Sequence, residues 1–354
     1  MHVAFVVPET VHHRETDASV RLDRIARMLV DRGHEVTVLC TSWWEADDVD
    51  EFEGNDVVYR ALTGDRDARR SFTLRLPMAL RRLDPDVIHA DARAPGAVVA
   101  CRAGRRLTGA PLVVEWYGTD PRAGRAGRSV DGADRHVVPS RLVRRWVREA
   151  GADEGDCVVV PNPIDVERVL DARPDPDVGA DLVYARRLDE GANLEVLLLA
   201  LAELRGYDWS ATVIGDGPRR EEYEDQADDL QIEDRIDFVG HRPLDGRIAA
   251  YRASHAFVQT ARRCAFAEDL LWALTAGCIG IVEYHAESSA HELVEGRDRS
   301  FRTTDEEELV DAIVEASEME ARNFDERFAE FDRTEVVEGY VDLYTDLLAE
   351  RGRL

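Results

Sequence analysis

Apolar positions in this chain follow two alternating rhythms: short unbroken runs, and longer stretches with apolar residues spaced three and four apart. The first predicts buried strands and the second one-sided helices. The clearest example lies between residues 182 and 218. An apolar run, 182–185, ends in Arg186-Arg187, and a polar turn leads to Leu194, Leu197, Leu198, Leu201 and Leu204 on one helical stripe. Asn193 is placed to cap that helix. A second run, 211–214, stops at Gly215-Asp216-Gly217-Pro218, where the chain must turn sharply. This is a β-turn-α-β unit with an arginine pair at the carboxyl end of its first strand. That edge is where open α/β sheets bind ligands, and an arginine fork there suits a phosphate or diphosphate. The bland alternative, that the pair merely meets Asp189 and Glu190, weighs about the same on this unit alone.

The same alternation fills the first half. Runs at 3–7, 36–39, 86–90, 111–117, 133–140 and 157–165 predict strands, with helices over 19–32, 96–107 and 141–150. Gly33 closes the first helix as a C-terminal cap. Residues 171–180, rich in proline, glycine and aspartate, read as a linker at the centre of the chain. Beyond it, strands are expected over 235–240 and 256–260 with a helix at 244–252 between them. A capping box at 304–307 opens an acidic helix, and a last helix carries Val337, Val341, Tyr344 and Leu348 on one stripe.

Composition adds further constraints. At 354 residues the chain holds two domains of ordinary size. Its net charge is −27 and it contains no lysine. That combination points to a halophile's protein, kept soluble in concentrated salt by its charge, rather than to a nucleic-acid mimic. Between Arg60 and Arg148, however, arginine outnumbers acidic residues about two to one. This basic island predicts an anionic acceptor or peripheral contact with an anionic membrane surface. No apolar run reaches the ~20 residues of a membrane span. The N-terminus reads as a strand rather than a signal peptide, and five scattered cysteines fit a reduced compartment. A cytoplasmic protein, peripheral at the inner face of the membrane, is therefore expected.

The block at 182–218 resembles the nucleotide-sugar half of a family-4 (group 1) glycosyltransferase with the GT-B fold. In that family a Gly-Arg-Leu turn is followed by a lysine and then by a Gly-Asp-Gly-Pro turn. Arg187, Leu188 and 215–218 match, Arg186 stands for the glycine, and Ala192 stands where the lysine belongs. The likeness covers nearly the whole chain. It implies two doubly wound Rossmann-like domains facing a central cleft: an acceptor domain at 1–172, a nucleotide-sugar domain at 173–333, and a helix at 334–354 crossing back to the first domain. In the first half, Thr16-Asp17 occupies the place of the family's glycine pair. His89-Ala90-Asp91 stands for His-Ala-His, and Tyr117-Gly118-Thr119-Asp120 for His-Gly-Thr-Asp. A lone histidine such as His89 is more often structural than functional, whereas Tyr117 and Asp120 sit at a strand end beside a glycine turn. Asn162 matches the family's Pro-Asn turn. Both family glutamates are replaced, by Cys264 and Trp272, with Glu268 one helical turn from Cys264. Trp272 either stacks on a ligand or fills the core. Ser288-Ser289 replaces a glycine pair ahead of a matching Glu292.

The resemblance implies a metal-independent, retaining transfer of a hexose from a nucleotide-diphosphate sugar, with no cofactor and no nucleic acid. Arg187, Tyr117 and Glu268 are the catalytic candidates. Arg186, Gly215, Asp216, Gly217, Asn162, Asp120, Cys264, Trp272, Ser288, Ser289 and Glu292 are the donor-binding set. His89, Asp91, Thr16 and Asp17 face a glycan or lipid-linked acceptor. The competing expectation is a catalytically degenerate GT-B protein that binds a ligand or partner; a GT-B epimerase is the weaker third.

Overall fold

The computed structural model of the protein describes residues 1–44, 51–54, 56–64 and 69–352. The chain forms two α/β units, Met1–Asn162 with Thr334–Leu354, and Pro163–Arg333. Each is a twisted parallel sheet flanked by helices, as apolar strands alternating with one-sided helices require.

The first unit contains β1 (His2–Val6), β2 (Glu35–Thr41), β3 (Glu51–Gly54), β4 (Val57–Thr63), β5 (Val87–Asp91), β6 (Leu112–Glu115), β7 (Arg135–Val138) and β8 (Cys157–Val159). Their order is β3-β4-β2-β1-β5-β6-β7-β8, all parallel except β3, which folds back antiparallel on β4. The hairpin β3–β4 and the helix Arg69–Leu83 that follows it are additions to the elements read from the sequence. The first helix runs from Asp17 to Asp31, and Thr16 caps it through a reciprocal pair of bonds with Ser19. The C-terminal helix, Arg333–Glu350, lays Val336, Val337, Tyr340, Tyr344 and Leu347 into the core built on β1, β2 and the first helix.

The second unit contains β9 (Leu182–Ala185), β10 (Ala211–Ile214), β11 (Ile236–Gly240), β12 (Ala256–Gln259), β13 (Arg263–Cys264), β14 (Ile279–Glu283), β15 (Glu287–Ser288) and β16 (Ser300–Thr303). The main sheet runs β11-β10-β9-β12-β14-β16, and β13 pairs with β15 beside it. Strand order reverses between β9 and β12, which opens a crevice at their carboxyl ends. The leucine stripe predicted from Leu194 to Leu204 is buried against this sheet.

One core contact sets a pH response. The Trp116 indole N–H donates to His136 Nδ1 at 3.0 Å, and both side chains are buried. Burial lowers the His136 pKa from 6.5 to about 4. The unfolded chain therefore takes up this proton at a higher pH than the folded one. The stabilisation is complete above about pH 6.5 and fades as pH falls towards 4. Moving from pH 7 to pH 5 is expected to cost about 2 kcal/mol through this residue. Denaturant unfolding at the two pH values, repeated on His136→Phe, checks it: the variant should lose that part of the pH dependence.

Candidate functional site

The carboxyl edge of the second unit is assembled by two glycines. Gly215 has φ +145°, and a Cβ there would lie 1.9 Å from the Arg186 carbonyl oxygen. A Cβ on Gly217 would lie 2.2 Å from the Leu188 oxygen. The turn after β10 thus packs directly on the backbone of the turn after β9. It is locked there by Leu188 N–H to Asp216 O (3.1 Å) and Arg219 N–H to Leu188 O (3.0 Å). The amides of both glycines are engaged within the protein. The Gly215 amide donates to Gly240 O at 2.9 Å and the Gly217 amide to Asp216 Oδ1 at 2.7 Å. These glycines shape the turn, and charge at this edge comes from side chains.

The two arginines divide the work. Arg186 is half-buried and its Nη2 donates to the Arg263 carbonyl at 3.0 Å, tying the turn after β9 to β13. Arg187 is 71% exposed, with Asp189 Oδ2 at 3.8 Å from its Nε. It projects from the strand edge with its guanidinium open to a ligand. Ala192 is fully buried and carries only main-chain function, accepting from the Tyr184 hydroxyl at 2.7 Å. Arg262 stands over the same turn. Its amide donates to Gly191 O at 3.2 Å, and its side chain, with that of Arg219, shares Glu195 at 3.3 and 3.9 Å. Sequence reasoning passed over Arg262; its signal was a doubled arginine directly ahead of Cys264.

Several expected ligand contacts serve the fold instead. Asn193 does not cap the helix it precedes: it adopts a left-handed conformation with φ 58°, and its side chain reaches Thr260 and Glu283. Trp272 is buried, and its indole N–H points to Glu268 Oε1 at 3.4 Å, so stacking on a ligand is replaced by core filling. Cys264 is half-buried; burial raises its thiol pKa against the opposing pull of Arg186, and a neutral thiol makes a poor acceptor. The Ser289 amide donates to Cys264 O (2.8 Å) and its hydroxyl to Ala265 O (2.8 Å). That amide and hydroxyl therefore hold β13 against β15 rather than a phosphate. Ser288 is buried in the same ladder. Glu292 lies in the first turn of the short helix His291–Val294.

In the first unit the carboxyl edge gathers Thr16, Asp91 and Gly118. Arg93 bonds Asp91 through Nε and Nη2 and reaches the Thr16 hydroxyl at 3.1 Å. Asp17 is exposed at the helix start, and Asp120 is held by Arg122 at 2.9 Å. Beneath this edge lies a buried polar network. Arg21 donates to Glu115 Oε1 (2.8 Å), Asn162 Oδ1 (2.5 Å), the Val160 carbonyl (2.7 Å) and the Tyr340 hydroxyl (2.9 Å). Tyr340 in turn donates to Glu115 Oε2 at 3.0 Å. His89 is fully buried between Glu115 (3.3 Å) and the Tyr344 hydroxyl (2.6 Å), so the acceptor contact expected of it is corrected to a structural one. Asn162 is equally buried, and its amide donates to the Tyr117 hydroxyl at 3.1 Å, which turns that hydroxyl inward. The positions expected to touch ligand at Asn162 and Tyr117 are thus filled by members of this network.

A family model described as Glycosyltransferase Family 4 matches residues 18–168, and one described as Glycosyl transferases group 1 matches 171–334. The chain is 26% identical over 321 residues to the GDP-mannose-dependent alpha-(1-6)-phosphatidylinositol monomannoside mannosyltransferase of Mycolicibacterium smegmatis, covering 82% of this chain and 79% of that protein. It is 28% identical over 149 residues to the lipopolysaccharide 1,6-galactosyltransferase of Salmonella typhimurium, 41% of each. Among solved structures, the apo lipopolysaccharide outer core galactosyltransferase WaaB superposes with TM-score 0.76 at 17% identity, over 98% of this chain and 99% of that one. Anabaena HepE in complex with UDP and glucose gives 0.73 at 17% identity, over 97% and 99%.

Proposed function

The chain belongs to the group 1 glycosyltransferases, with the two Rossmann-like sheets of the GT-B class, and from that premise we propose a retaining, metal-independent hexosyltransferase. The second unit takes the nucleotide-diphosphate sugar and the first takes a glycan or lipid-linked acceptor. The observation that carries the reading is Arg187. It is 71% exposed at the carboxyl end of β9, beside the reversal of strand order, and Arg186 and the glycine turn fix the backbone from which it projects. A guanidinium there meets the charge that grows on a leaving diphosphate, and the diphosphate oxygen so stabilised takes the proton of the incoming hydroxyl.

Thermal stability in molar salt, scanned against UDP, GDP, dTDP, ADP and their sugars, tests this. One nucleotide at ~100 times its dissociation constant should add about 2.7 kcal/mol, and Arg187→Ala should abolish the gain. No gain with any nucleotide overturns the reading. A second reading, a nucleotide-binding GT-B protein without transferase activity, is favoured by the neutral thiol at Cys264 and the core position of Trp272. Nucleotide binding without turnover across acceptor preparations would select it.

For the acceptor side, one helix of the basic island stands out. Arg69–Leu83 carries five arginines and no acid, and exposes Leu74 (79%) and Met78 (49%) one turn apart. A basic helix showing apolar side chains to solvent suits an anionic lipid surface. Sedimentation with phosphatidylglycerol vesicles at low ionic strength should fall several-fold for Leu74→Glu/Met78→Glu, since each lost apolar contact and added repulsion costs on the order of 1 kcal/mol. Unchanged sedimentation removes the membrane contact while leaving the transferase reading intact.

A further inference from the structure

A polar cluster at the second unit's crevice is used neither by the arginine rim nor by the glycine turns. Glu283 ends β14 and is buried. Its Oε2 accepts from Asn193 Nδ2 at 2.8 Å and stands 3.1 Å from His285 Nε2. Asn193 Nδ2 also donates to the Thr260 carbonyl at 2.9 Å. Three groups surround that amide nitrogen: the Thr260 carbonyl, the Glu283 carboxylate and, at 3.4 Å, His285 Nε2. The first two are acceptors, so turning the amide over places oxygen against oxygen. Asn193 Oδ1 is left without a partner in a side chain that is 1% exposed. An orphaned buried carbonyl is costly, and native structures retain few of them. These groups come from the loops after β9, β12 and β14, which meet where the strand order reverses.

The accessible member is His285, with its side chain 24% exposed. Nε2 faces Glu283 at 3.1 Å and the Asn193 amide at 3.4 Å, so Nδ1 is the nitrogen left for a ligand. The Glu283 carboxylate and the buried Asn193 carbonyl make this corner rich in acceptors, with His285 at its exposed side. A phosphate is repelled by Glu283, whereas a ring bearing several hydroxyl donors satisfies it. The arginines Arg187 and Arg262, on the neighbouring turns after β9 and β12, offer the opposite chemistry. We propose that His285, positioned by Glu283 and Asn193, binds the hydroxyls of the donor's sugar ring, leaving the diphosphate to the arginines. This deepens the nucleotide-sugar reading and rests on it.

Isothermal titration in molar salt with UDP, GDP, UDP-glucose and GDP-mannose tests the division. His285→Ala should weaken binding of the preferred nucleotide-sugar about tenfold, the equivalent of a hydrogen bond or two, while the parent nucleoside diphosphate stays within about twofold. Glu283→Gln keeps the shape but loosens the imidazole, and should lower nucleotide-sugar affinity by a smaller factor with the same selectivity. Circular dichroism confirms that both variants fold. Equal losses for nucleotide and nucleotide-sugar overturn the inference, as do unchanged affinities in both variants. A wild-type protein that binds none of the four overturns the transferase reading, and the inference falls with it.

Discussion

Arg21→Ala is expected to lose about 3–5 kcal/mol of stability, the range for removing one partner of a buried ion pair and leaving the other charge behind. The arginine is 1% exposed and bonds four separate groups: Glu115, Asn162, the Val160 carbonyl and Tyr340. Those groups come from β6, the end of the unit's main chain segment and the C-terminal helix. Losing the guanidinium strands the Glu115 carboxylate, which Arg21 and His89 hold below its ordinary 4.5 despite burial. The sign follows: a carboxyl with a lowered folded pKa stabilises fully above pH 4.5, and that contribution disappears as pH drops through the folded value. Denaturant unfolding at neutral pH and at pH 4 checks both statements. The paired variant Arg21→Met/Glu115→Leu should recover much of the loss, because the desolvated charge goes with its partner. A loss under 1 kcal/mol in Arg21→Ala would show that the network is not what seats the C-terminal helix.

The strands and most helices of both units were legible because burial imposes a period on the sequence. Residues 182–185 and 211–214 are apolar but for Thr212, since both faces of a parallel strand are covered, and the structure buries all eight. What the period could not convey is the identity of a polar partner. Arg21 lies beside Leu22 and four residues ahead of Ile25 on the buried face, yet in a chain without lysine any arginine reads first as a solvated charge. Asn193 carries the composition of a helix cap, but its amide is claimed by groups 67 and 90 residues away. Tyr117 lies just past the end of β6 as the pattern required, whereas His89 sits in the middle of β5. Their roles are decided by Tyr344 and Asn162, which no local rule connects to them. The hairpin β3–β4 and the helix Arg69–Leu83 went unread for a different reason: five arginines and a proline inside that helix mask its stripe of Phe72, Leu76 and Leu80.

Gly215→Ala is expected to cost about 2–5 kcal/mol, combining backbone strain at a left-handed position with overpacking against main chain. Its φ of +145° is a region L side chains rarely adopt, and the nearest obstacle, the Arg186 carbonyl oxygen at 1.9 Å from the new Cβ, is backbone that cannot swing aside. The turn after β9 must move if the variant folds. Arg187 projects from that turn, so the variant should also lose any nucleotide-dependent stabilisation, even at temperatures where circular dichroism shows it folded. Gly206→Ala is the control, since its Cβ would meet nothing within 4 Å, and it should leave both quantities nearly unchanged. The comparison separates two meanings of the glycine-rich turn. Were the glycines there to bring their own amides to a phosphate, a variant that preserved the backbone would keep Arg187 in place and lose only part of the affinity. The amides of Gly215 and Gly217 are already spent within the protein, on Gly240 O and Asp216 Oδ1. Loss of binding together with loss of stability in Gly215→Ala, and neither in Gly206→Ala, is therefore the result expected of a turn whose task is to aim an arginine.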